Sequence, residues 1–534
     1  MRFNKKILII ISVLLFSNSY GQQQFQKKYE STNATRAYVV KTTNDNGYII
    51  AGSYDVSGLL SAEYYIVKLD AFGDTVWSNT YGPAVDTAIA GNRDGAGNEA
   101  YDIIQTFDSG YIVVGEAHDS VSGQSNAYAL KLTSTGDSSW TRTYGGLNSD
   151  YGYKIIQLAD SGYILSGYTE SFGLGIRNTY ALRLDKKGDT LWTRAFGGSA
   201  IDGATDMSKT HDGGFIMVGN TFSFGAGNSD VYVVKFDING NLVWARAYGG
   251  TMNDFGNSIA LSKDKGFIIS GSSESFGVGQ RDVYVIKIDS VGELKWSKTF
   301  GGTGNESGKS VIELSNQDIM IMGNTRSFGK GFEDFYLLKL NSLGDTLMTR
   351  VYGGMSIDFG ESIQQTSDKG FIMAGYTNSF NTFNFDVYIV KTDSLGNSSC
   401  HQGYTSTIVG NPATTKTNTS TVTSSGSSVG RFSFRIGKTV TNPVNVCNIN
   451  SFEEFDNQIE YLIYPNPSNG FFSLNTYNTK EKIISVIDIN GKLLETISSN
   501  SLTQKMNLSK YRKGIYFIQI KTEKTIISKK IIIY

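Results

Sequence analysis

The sequence predicts an all-β protein, a seven-bladed β-propeller with four-stranded blades, and three observations lead to this fold class. An apolar run that ends in glycine recurs seven times in the 534-residue chain. The first interval between these glycines is 63 residues, and the other five are 52 residues each. The chain holds 60 glycines, 12% aromatic residues and only 5 prolines, which suits short strands joined by tight turns. The repeated glycines are Gly52, Gly115, Gly167, Gly219, Gly271, Gly323 and Gly375.

Each repeat contains four strand-like segments. In the fourth repeat they are residues 214–219, 231–237 and 242–248 and a segment around Ile259, bounded by Gly, Asn, Asp or Ser. No apolar period of 3.6 residues persists, so the pattern requires no helix. Four strands in a repeat of about 52 residues are typical of β-propeller blades.

The N-terminal segment is expected to complete the last blade. Trp77, Trp140 and three later tryptophans mark the fourth strand of successive repeats, and a step of 52 residues back from Trp77 falls on Phe25. The segment around Phe25 therefore precedes the first blade as a single extra strand. Pairing it with the seventh blade would remove an open sheet edge.

Residues 1–21 are predicted to be a secretory signal peptide. A basic start precedes the apolar run 7–16, which is about half the roughly 20 residues of a membrane-spanning helix. Ser19 and Gly21 supply the small residues of a cleavage site. No later apolar run is long enough to span a membrane. The formal net charge of −1 argues against a nucleic-acid partner.

A hairpin motif with an aspartate, a glycine three residues later and then a tryptophan recurs, as in Asp70, Gly73 and Trp77. An aspartate that opens a turn accepts backbone N–H bonds, and the glycine adopts positive φ. The motif resembles the tryptophan-docking motif of quinoprotein-type propellers and the Asp boxes of sialidases, and this resemblance implies a structural role. Asp237 and its neighbours resemble the start of a calcium loop without the distal glutamate. We therefore interpret these segments as structural turns.

A second motif, Ser-Phe-Gly-x-Gly, begins at Ser171, Ser223, Ser275 and Ser327. Neither a helix start nor a Lys-Ser/Thr pair follows it, so a phosphate site is not predicted. These segments are expected to be hairpin loops whose phenylalanine covers the blade edge.

A third motif places an acidic residue after each aromatic-Gly-Gly sequence. If the blades close into a ring, these acids would form one rim, and two interpretations follow. The rim could attract cations such as calcium, or basic ligands. Alternatively each carboxylate caps backbone N–H groups of a turn, which we favour because a folding constraint recurs in every repeat. The acids are Asp86, Asp150, Asp202, Asp254, Glu306 and Asp358.

No catalytic, cofactor-binding or metal-binding residue is predicted. His118, His211 and His401 lie at unrelated repeat positions, and no HExxH motif, nucleophile elbow, zinc-type cysteine pair or haem-attachment motif is present. Carboxylate pairs for glycoside hydrolysis stay open, because they would be assembled across blades.

Cys400 and Cys447, the only cysteines, are predicted to form a disulfide because the chain is exported. The bond would pin the segment after the last blade to the propeller. The alternative is two free thiols. Residues 405–450 are Thr/Ser-rich and are predicted to be a linker with one short strand at 431–436.

Residues 451–534 have a different composition, with less glycine and more lysine and isoleucine. Strands are predicted at 485–489, 515–520 and 526–534, with Asn490-Gly491 as a hairpin turn, so this part is expected to be a small antiparallel β-sandwich.

Several ordered motifs in this part carry a resemblance to a known family. They are Tyr464-Pro465-Asn466-Pro467, Gly470, Val486 to Lys492, Leu508-Ser509, Lys513 to Tyr516 and Lys529 to Ile532. Together they resemble the type A C-terminal sorting domain of the type IX (Por) secretion system. The resemblance implies passage through the periplasm and translocation across the outer membrane by the type IX machinery. It also implies removal of the domain and attachment of the cargo to surface lipopolysaccharide, or its release.

The predicted organisation is a signal peptide (1–21), a propeller (22–404), a linker (405–450) and a sorting domain (451–534). The predicted function is a secreted or cell-surface binding or adhesion module for an unknown glycan or protein ligand. The main alternative is a glycan-cleaving hydrolase or lyase with carboxylates at the channel mouth. A quinoprotein-like dehydrogenase and a passive surface-layer protein also stay open at this point.

Overall fold

The computed structural model describes residues 22–56, 62–83, 98–119, 123–380, 384–424, 428–430, 434–438, 441–447, 461–464, 468–476, 482–488, 492–521 and 526–533. All regular secondary structure in these residues is β-strand, so none of them belongs to a helix that could cross a membrane. The predicted signal peptide lies outside the described residues. The chain divides into two compact units, one that ends at Cys447 and one that begins at Asn448.

The strands of the repeats are β1 (Phe25–Glu30), β2 (Thr35–Thr42), β3 (Tyr48–Asp55), β4 (Ala62–Leu69), β5 (Thr75–Pro83), β6 (Ala100–Gln105), β7 (Tyr111–Asp119), β8 (Gln124–Leu132), β9 (Ser138–Gly145), β10 (Asp150–Gln157), β11 (Tyr163–Thr169), β12 (Asn178–Leu184), β13 (Thr190–Gly197), β14 (Asp202–Lys209), β15 (Phe215–Thr221), β16 (Asp230–Phe236), β17 (Leu242–Gly249), β18 (Asp254–Leu261), β19 (Phe267–Ser273), β20 (Asp282–Ile288), β21 (Leu294–Gly301), β22 (Glu306–Glu313), β23 (Ile319–Thr325), β24 (Asp334–Leu340), β25 (Thr346–Tyr352), β26 (Asp358–Gln365), β27 (Phe371–Thr377) and β28 (Asp386–Thr392). The remaining strands of the first unit are β29 (Gln402–Gly403), β30 (Ile408–Gly410), β31 (Thr415–Asn418), β32 (Val422–Ser424), β33 (Ser428–Gly430), β34 (Phe434–Lys438) and β35 (Asn442–Asn445).

The repeats fold into seven antiparallel sheets, numbered here in chain order. Sheets 1 to 6 each take four consecutive strands, from β2–β5 in sheet 1 to β22–β25 in sheet 6. Sheet 7 has the order β26-β27-β28-β1, so the N-terminal strand supplies its fourth strand, as the spacing predicted. The third strands β12, β16 and β20 are buried at every residue, which explains why the sequence shows continuous apolar runs.

Each sheet packs against the next one along the chain, and sheet 7 packs against sheet 1. Strand β2 contacts β26 and β27. The amide of Thr35 donates a hydrogen bond of 2.7 Å to the carbonyl of Phe385. Val40 and Ile372 belong to one buried apolar cluster that joins sheets 1 and 7. Sheet 7 and sheet 1 therefore share a backbone hydrogen bond and an apolar core.

The repeated tryptophan packs on the hairpin glycine of the following sheet. Gly188 has a φ of +81°, and a Cβ at that position would lie 2.7 Å from the ring of Trp140. Tyr144 in the same strand donates a 2.8 Å hydrogen bond to the Gly188 carbonyl. Phe25 and Tyr29 of β1 make the same two contacts with Gly73 of sheet 1, so the N-terminal strand reproduces the inter-sheet contact at the junction of sheets 7 and 1. The aspartate of each hairpin is structural, as predicted: Asp70 accepts the amides of residues 72 and 74 at 2.8 Å.

A cation in the third strand of every sheet pairs with an aspartate in the turn between the first two strands, and this cation is buried in every sheet except sheet 6. In sheet 4, Lys235 Nζ lies 2.6 Å from an Asp212 carboxylate oxygen, and the lysine side chain is only 8% exposed. This pairing ties the turn to the sheet. The pairs are Lys68–Asp45, Lys131–Asp108, Arg183–Asp160, Lys235–Asp212, Lys287–Asp264, Lys339–Asp318 and Lys391–Asp368.

Strands β29–β35, which we call the belt, add a fifth strand to all seven sheets. The belt pairs with β25, β21, β17, β13, β9, β5 and finally β1, so it visits sheets 6 to 1 in reverse order and ends on sheet 7. This differs from the prediction of a linker with one short strand. Strands of two to five residues are too short to give a sequence pattern, and they form here because each sheet offers an unpaired edge.

Threonines at seven-residue intervals attach the belt to the sheets. The hydroxyl groups of Tyr232 and Thr421 are 2.6 Å apart, and Tyr284 and Tyr336 make the same bond to Thr414 and Thr407. Seven residues of the belt therefore correspond to one 52-residue repeat. The predicted disulfide is present between Cys400 and Cys447, which flank the belt.

The second unit consists of two sheets built from strands β36 (Tyr461–Tyr464), β37 (Phe471–Thr476), β38 (Lys482–Asp488), β39 (Leu493–Ser499), β40 (Thr503–Asn507), β41 (Gly514–Lys521) and β42 (Ile526–Ile533). The sheet orders are β36-β37-β40 and β39-β38-β41-β42. Both sheets contribute to one core, which includes Leu474, Val486 and Ile518. The three predicted strands correspond to β38, β41 and β42. The predicted Asn490-Gly491 turn lies outside the described residues.

Candidate functional site

The acids predicted as a rim are buried and cap turns. Asp202 is 0% exposed and accepts the amide of Gly198 at 2.7 Å and the hydroxyl of Ser223 at 2.8 Å. Asp254 makes the equivalent bonds to Gly250 and Ser275 at 2.7 Å each. Asp150, Glu306 and Asp358 likewise accept the amide of the second glycine in their motif. The capping interpretation therefore accounts for these five carboxylates. Asp86 lies outside the described residues.

The Ser-Phe-Gly-x-Gly loops are the other half of this cap. In three of these loops the serine hydroxyl donates to the buried acid, and in the fourth the Ser327 amide donates to Glu306 at 3.1 Å. Phe224 packs on Tyr232 with a ring separation of 5.8 Å. The same geometry recurs from loop to loop, so the motif closes the end of each sheet.

In sheets 4, 5 and 6 the third strand begins with a second buried carboxyl group, which lies beside one of these capping acids. Oxygens of Asp230 and Asp254 would lie 2.0 and 2.7 Å from a Cβ placed on Gly249, so the two carboxyl groups are neighbours. Burial, together with the charge of Asp254, raises the pKa of Asp230 to about 6. Sheets 2 and 3 carry Asn126 and Asn178 at the position of Asp230. Sheets 2 and 3 thus place an asparagine beside the capping acid, at the position where sheet 4 places a second acid, Asp230.

The three histidines do not come together. His211 Nε2 lies 3.1 Å from the Ser262 carbonyl and His401 Nε2 lies 3.0 Å from the Val446 carbonyl, in different sheets. In the part of the chain that the structure describes, no three His, Cys, Asp or Glu side chains are grouped as metal ligands.

A cavity of about 500 Å³ is lined by the first strand of each of the seven sheets. The repeat places one side chain per sheet at the same position of these strands. In sheets 1 to 3 this residue is a tyrosine, and in sheets 4 to 7 it forms hydrogen bonds or carries charge. The seven residues are Tyr38, Tyr101, Tyr153, Thr205, Asn257, Lys309 and Glu361. We call the first three the tyrosine wall and the last four the polar wall.

The tyrosine wall continues as a row of rings toward the ends of β10 and β11. Ring centroids are 5.7 Å apart for Tyr38 and Tyr101 and 4.6 Å apart for Tyr101 and Tyr153. Tyr151 and Tyr168 stack at 4.5 Å, and the Arg177 guanidinium lies 3.9 Å from the centre of the Tyr168 ring. The rings therefore stack on one another in a continuous row.

Two glutamates hold the tyrosine wall in place. The Tyr101 hydroxyl lies 3.0 Å from carboxylate oxygens of both Glu99 and Glu116, and the Tyr38 hydroxyl donates to Glu99 at 3.1 Å. Glu116 is 8% exposed, and its burial raises its pKa to about 7. Two neighbouring carboxyl groups thus lie behind the tyrosine wall, and one of them has a raised pKa.

Charged residues within the cavity neutralise one another. Lys154 Nζ lies 3.1 Å from Asp206 and 3.8 Å from Asp102, and Asp102 also lies 3.6 Å from Lys41. Lys309 and Glu361 form a further pair at 3.6 Å. Three cations face three anions, so the lining has no net charge.

Sequence reasoning missed this site, although a signal was present. Glu116 follows the repeated Gly115, and the equivalent position holds Ser53, Asn220, Ser272, Asn324 or a tyrosine in the other repeats. The tyrosine wall is also a departure from the repeat, because the other four sheets carry different residues at this position. A repeated fold does not require side chains that differ between repeats, so such differences could have indicated the site.

Comparison with known protein families identifies the class of the C-terminal unit. Residues 462–534 match the family described as the secretion system C-terminal sorting domain. The chain therefore carries a type IX (Por) secretion sorting domain and is exported to the cell surface or the extracellular space.

The similar proteins are distant in sequence, and this chain covers only part of the length of FlaEY and of the plexin chain. The regulatory protein FlaEY of Caulobacter vibrioides is 26% identical over 142 residues, which is 24% of this chain and 14% of FlaEY. PorZ, a surface component of the type IX secretion system of Porphyromonas gingivalis, is 10% identical, with a TM-score of 0.30 over 94% of this chain and 70% of PorZ. The plexin A4 extracellular region is 6% identical, with a TM-score of 0.36 over 96% of this chain and 62% of the plexin chain. Likenesses at these TM-scores carry no inference about function.

Proposed function

We propose that the seven sheets form a closed seven-bladed β-propeller that includes the belt and extends from about residue 22 to Cys447. The proposal is supported by the contacts between β2 and β26, by the packing of Phe25 on Gly73 and by a cavity with lining from all seven sheets. Residues 448–534 would then follow as the sorting domain, and residues 1–21 would be removed as a signal peptide.

The exported propeller acts as a binding or adhesion module on the cell surface, and its site is the cavity between the two walls. The observation that carries this proposal is the division of one repeat position into Tyr38, Tyr101 and Tyr153 on one side and hydrogen-bonding residues on the other. A fold constraint would select the same residue type in every sheet. A cavity of about 500 Å³ falls within the usual range of ligand pockets.

Binding is tested with the full chain by a thermal-shift screen against soluble polysaccharides, basic and acidic proteins, and calcium. A ligand at a hundred times its dissociation constant adds about 2.7 kcal/mol to stability. The proposal expects a shift with at least one ligand and its loss in Tyr153→Ala. A shift that Tyr153→Ala leaves unchanged would place the binding site elsewhere.

A second candidate function is glycan cleavage, and Glu99 and Glu116 favour it. Both bind one hydroxyl at 3.0 Å, so they are close enough to act as a carboxyl pair, and the raised pKa of Glu116 suits a general acid. Product release from any polysaccharide that binds, absent in Glu116→Gln and present in the control Glu170→Gln, would establish hydrolysis. Binding without product would leave the chain a binding protein.

After transit, the type IX machinery is expected to recognise residues 462–534, and attachment to surface lipopolysaccharide or release would complete sorting. Removal of residues 461–534 should abolish export while wild-type chain from the same promoter reaches the surface. Continued surface display of the truncated chain would contradict this role.

A further inference from the structure

Lys41 is a lysine of the cavity lining that the repeat does not require. Its side chain is 19% exposed, and its Nζ lies 3.6 Å from a carboxylate oxygen of Asp102. The structural lysines of the third strands are held more closely, as in the 2.6 Å contact between Lys235 and Asp212. Lys41 therefore differs from the lysines that tie turns to sheets. The residues at its position in the other six sheets are Ile104, Ile156, Ser208, Ala260, Ile312 and Gln364.

The two aspartates near Lys41 have other partners. Asp102 and Asp206 accept backbone amides of the following sheet at 3.2 and 2.9 Å. Ser258 makes the same contact at 3.3 Å from the equivalent position in sheet 5. Lys154 lies between the two aspartates, 3.1 Å from Asp206 and 3.8 Å from Asp102. The aspartates thus cap amides and pair with Lys154, and Lys41 is not their main partner.

One oxygen of Asp102 is placed to take a proton from Lys41. Asp102 Oδ2 accepts the amide of the following sheet, whereas Oδ1 is buried and has no hydrogen-bond partner among the described residues. Oδ1 is the oxygen that lies 3.6 Å from Lys41 Nζ. A buried oxygen without a donor gains free energy when it receives a proton, and contacts of this kind are commonly long before a substrate binds.

The charge of Lys154 favours the free amine of Lys41. Burial would lower the pKa of Lys154, but the charges of Asp102 and Asp206 raise it above its ordinary value, so this lysine stays an ammonium ion. Burial and the charge of Lys154 lower the pKa of Lys41, and the two aspartates oppose that shift only in part. A lysine that is desolvated beside another cation is an activated nucleophile.

We propose that the cavity binds a small aldehyde or ketone covalently, as an imine on Lys41 Nζ, an inference that rests on the proposed binding function and specifies the ligand class of that site. A primary amine adds readily to a carbonyl carbon. The cavity of about 500 Å³ has room for a small ligand beside this amine.

The reaction balances without an oxidant or a reductant. The Lys41 ammonium gives one proton to Asp102, and the free amine adds to the carbonyl carbon while the carbonyl oxygen takes up a proton from the nitrogen. Asp102 then returns its proton to the hydroxyl group of this adduct, which leaves as water as the C=N bond forms. The products are a protonated imine and one water molecule, so the charge beside Asp102 is the same before and after.

The test is reductive alkylation of the full chain at about pH 7 with limiting acetaldehyde and sodium cyanoborohydride, which reduces an imine to a stable ethyl-lysine. Peptide mass mapping then gives the rate at each lysine. We expect Lys41 to react at least about tenfold faster than Lys309 and Lys187, a difference of about 1.4 kcal/mol in activation free energy. Lys309 lines the same cavity with an exposure of 34%, so access alone would favour it, and Lys187 lies in an exposed hairpin.

Two variants separate the effect of the neighbouring cation from that of the cavity. Lys154→Met removes this cation and should slow the alkylation of Lys41 to the rate of Lys309. Lys298→Met removes a cation that pairs with Asp345 at 2.8 Å outside the cavity and should leave the rate of Lys41 unchanged. Thermal unfolding confirms that each variant is folded, and the comparison of lysines within the wild-type chain depends on no variant.

The outcomes separate the ligand class from the proposed function. If Lys41 reacts no faster than the two comparison lysines, or if Lys154→Met leaves its rate unchanged, the imine inference fails. A ligand from the thermal-shift screen whose effect is lost in Tyr153→Ala would then leave the binding function standing. A chain with neither a selective reaction at Lys41 nor such a ligand would contradict both.

Discussion

Cys400 and Cys447 stand at the two ends of the belt with their Cα atoms 5.6 Å apart, and the disulfide between them joins the end of the belt to its beginning. Between these residues the chain adds a strand to every one of the seven sheets. The bond therefore holds together a segment whose individual strands have only two to five residues.

Loss of this disulfide should destabilise the first unit. The two cysteines are 47 positions apart, and closure of a loop of that size contributes about 4 kcal/mol in the chain-entropy model. We expect Cys400→Ser with Cys447→Ser to lower the thermal midpoint by several degrees in scanning calorimetry. Reductant should lower the wild-type midpoint by the same amount and leave the variant unchanged. Equal midpoints for variant and wild type would show that strand pairing alone fixes the belt.

Removal of the N-terminal strand should have a larger effect. Strand β1 pairs with β28 on one side and with β35 on the other, and its Phe25 and Tyr29 contact sheet 1. A chain that begins at Ser31 should melt about 10 °C or more below one that begins at Gln22. Phe25→Trp, which introduces the residue found at this position in five of the other repeats, is the control and should melt near wild type. A difference of only a degree or two would contradict closure by this strand.

The pairing of a buried lysine with an exposed turn aspartate predicts an acid transition. The hydrogen bond from Lys235 lowers the pKa of Asp212 to about 2, below its value in the unfolded chain. A lowered carboxyl pKa stabilises the fold above roughly pH 4, and that contribution is lost as the pH falls toward 2. Asp212→Asn should therefore lower stability at pH 7 and reduce the loss between pH 4 and 2, measured by urea unfolding. Asp137→Asn, in an exposed hairpin, is the control, and the same pH dependence in both variants would exclude this role for Asp212.

The acid pair of Asp334 in sheet 6 and Asp358 in sheet 7 predicts the opposite pH dependence. Burial, with the neighbouring charge of Asp358, raises the pKa of Asp334 to about 7, although Lys330 opposes the shift. A raised carboxyl pKa means that stability is full below about pH 4 and declines as the pH rises toward 7. Asp334→Asn should remove this decline and be more stable at pH 8, on the order of 1–3 kcal/mol.

The repeats supply the matched control for this pair. Sheet 3 has Asn178 beside Asp202, so Asn178→Asp should create the pair and introduce a loss of stability above pH 4. If Asp334→Asn and wild type lose stability equally between pH 4 and 8, the pKa of Asp334 is not raised in the folded chain.

The repeated features were predictable from the sequence because repetition separates constraint from chance. Phe25, one 52-residue step before Trp77, indicated the strand that joins sheet 7, and the acid at each turn indicated the caps represented by Asp202. Burial of an apolar run and capping by a carboxylate depend on local sequence, so they can be deduced from one repeat and checked against the others.

The belt and the cavity were not predictable in the same way. Thr407, Thr414 and Thr421 have a regular spacing, but its meaning depends on tyrosines 71 to 189 positions away. Glu99 and Glu116 become neighbours only because two strands of one sheet place them on either side of Tyr101. Such contacts depend on tertiary structure, and the only local indication was that these residues differ from their counterparts in other repeats.

The belt also fixes how many repeats the chain can hold. Each 52-residue repeat requires seven residues of belt, because successive threonines meet successive sheets. Duplication of one repeat without a matching insertion in the belt would leave Cys447 a full sheet away from Cys400, and deletion of one repeat would leave slack. The length of the belt thus has to match the number of sheets. A change in the number of sheets therefore requires two changes in the gene, one in the repeats and one in the belt.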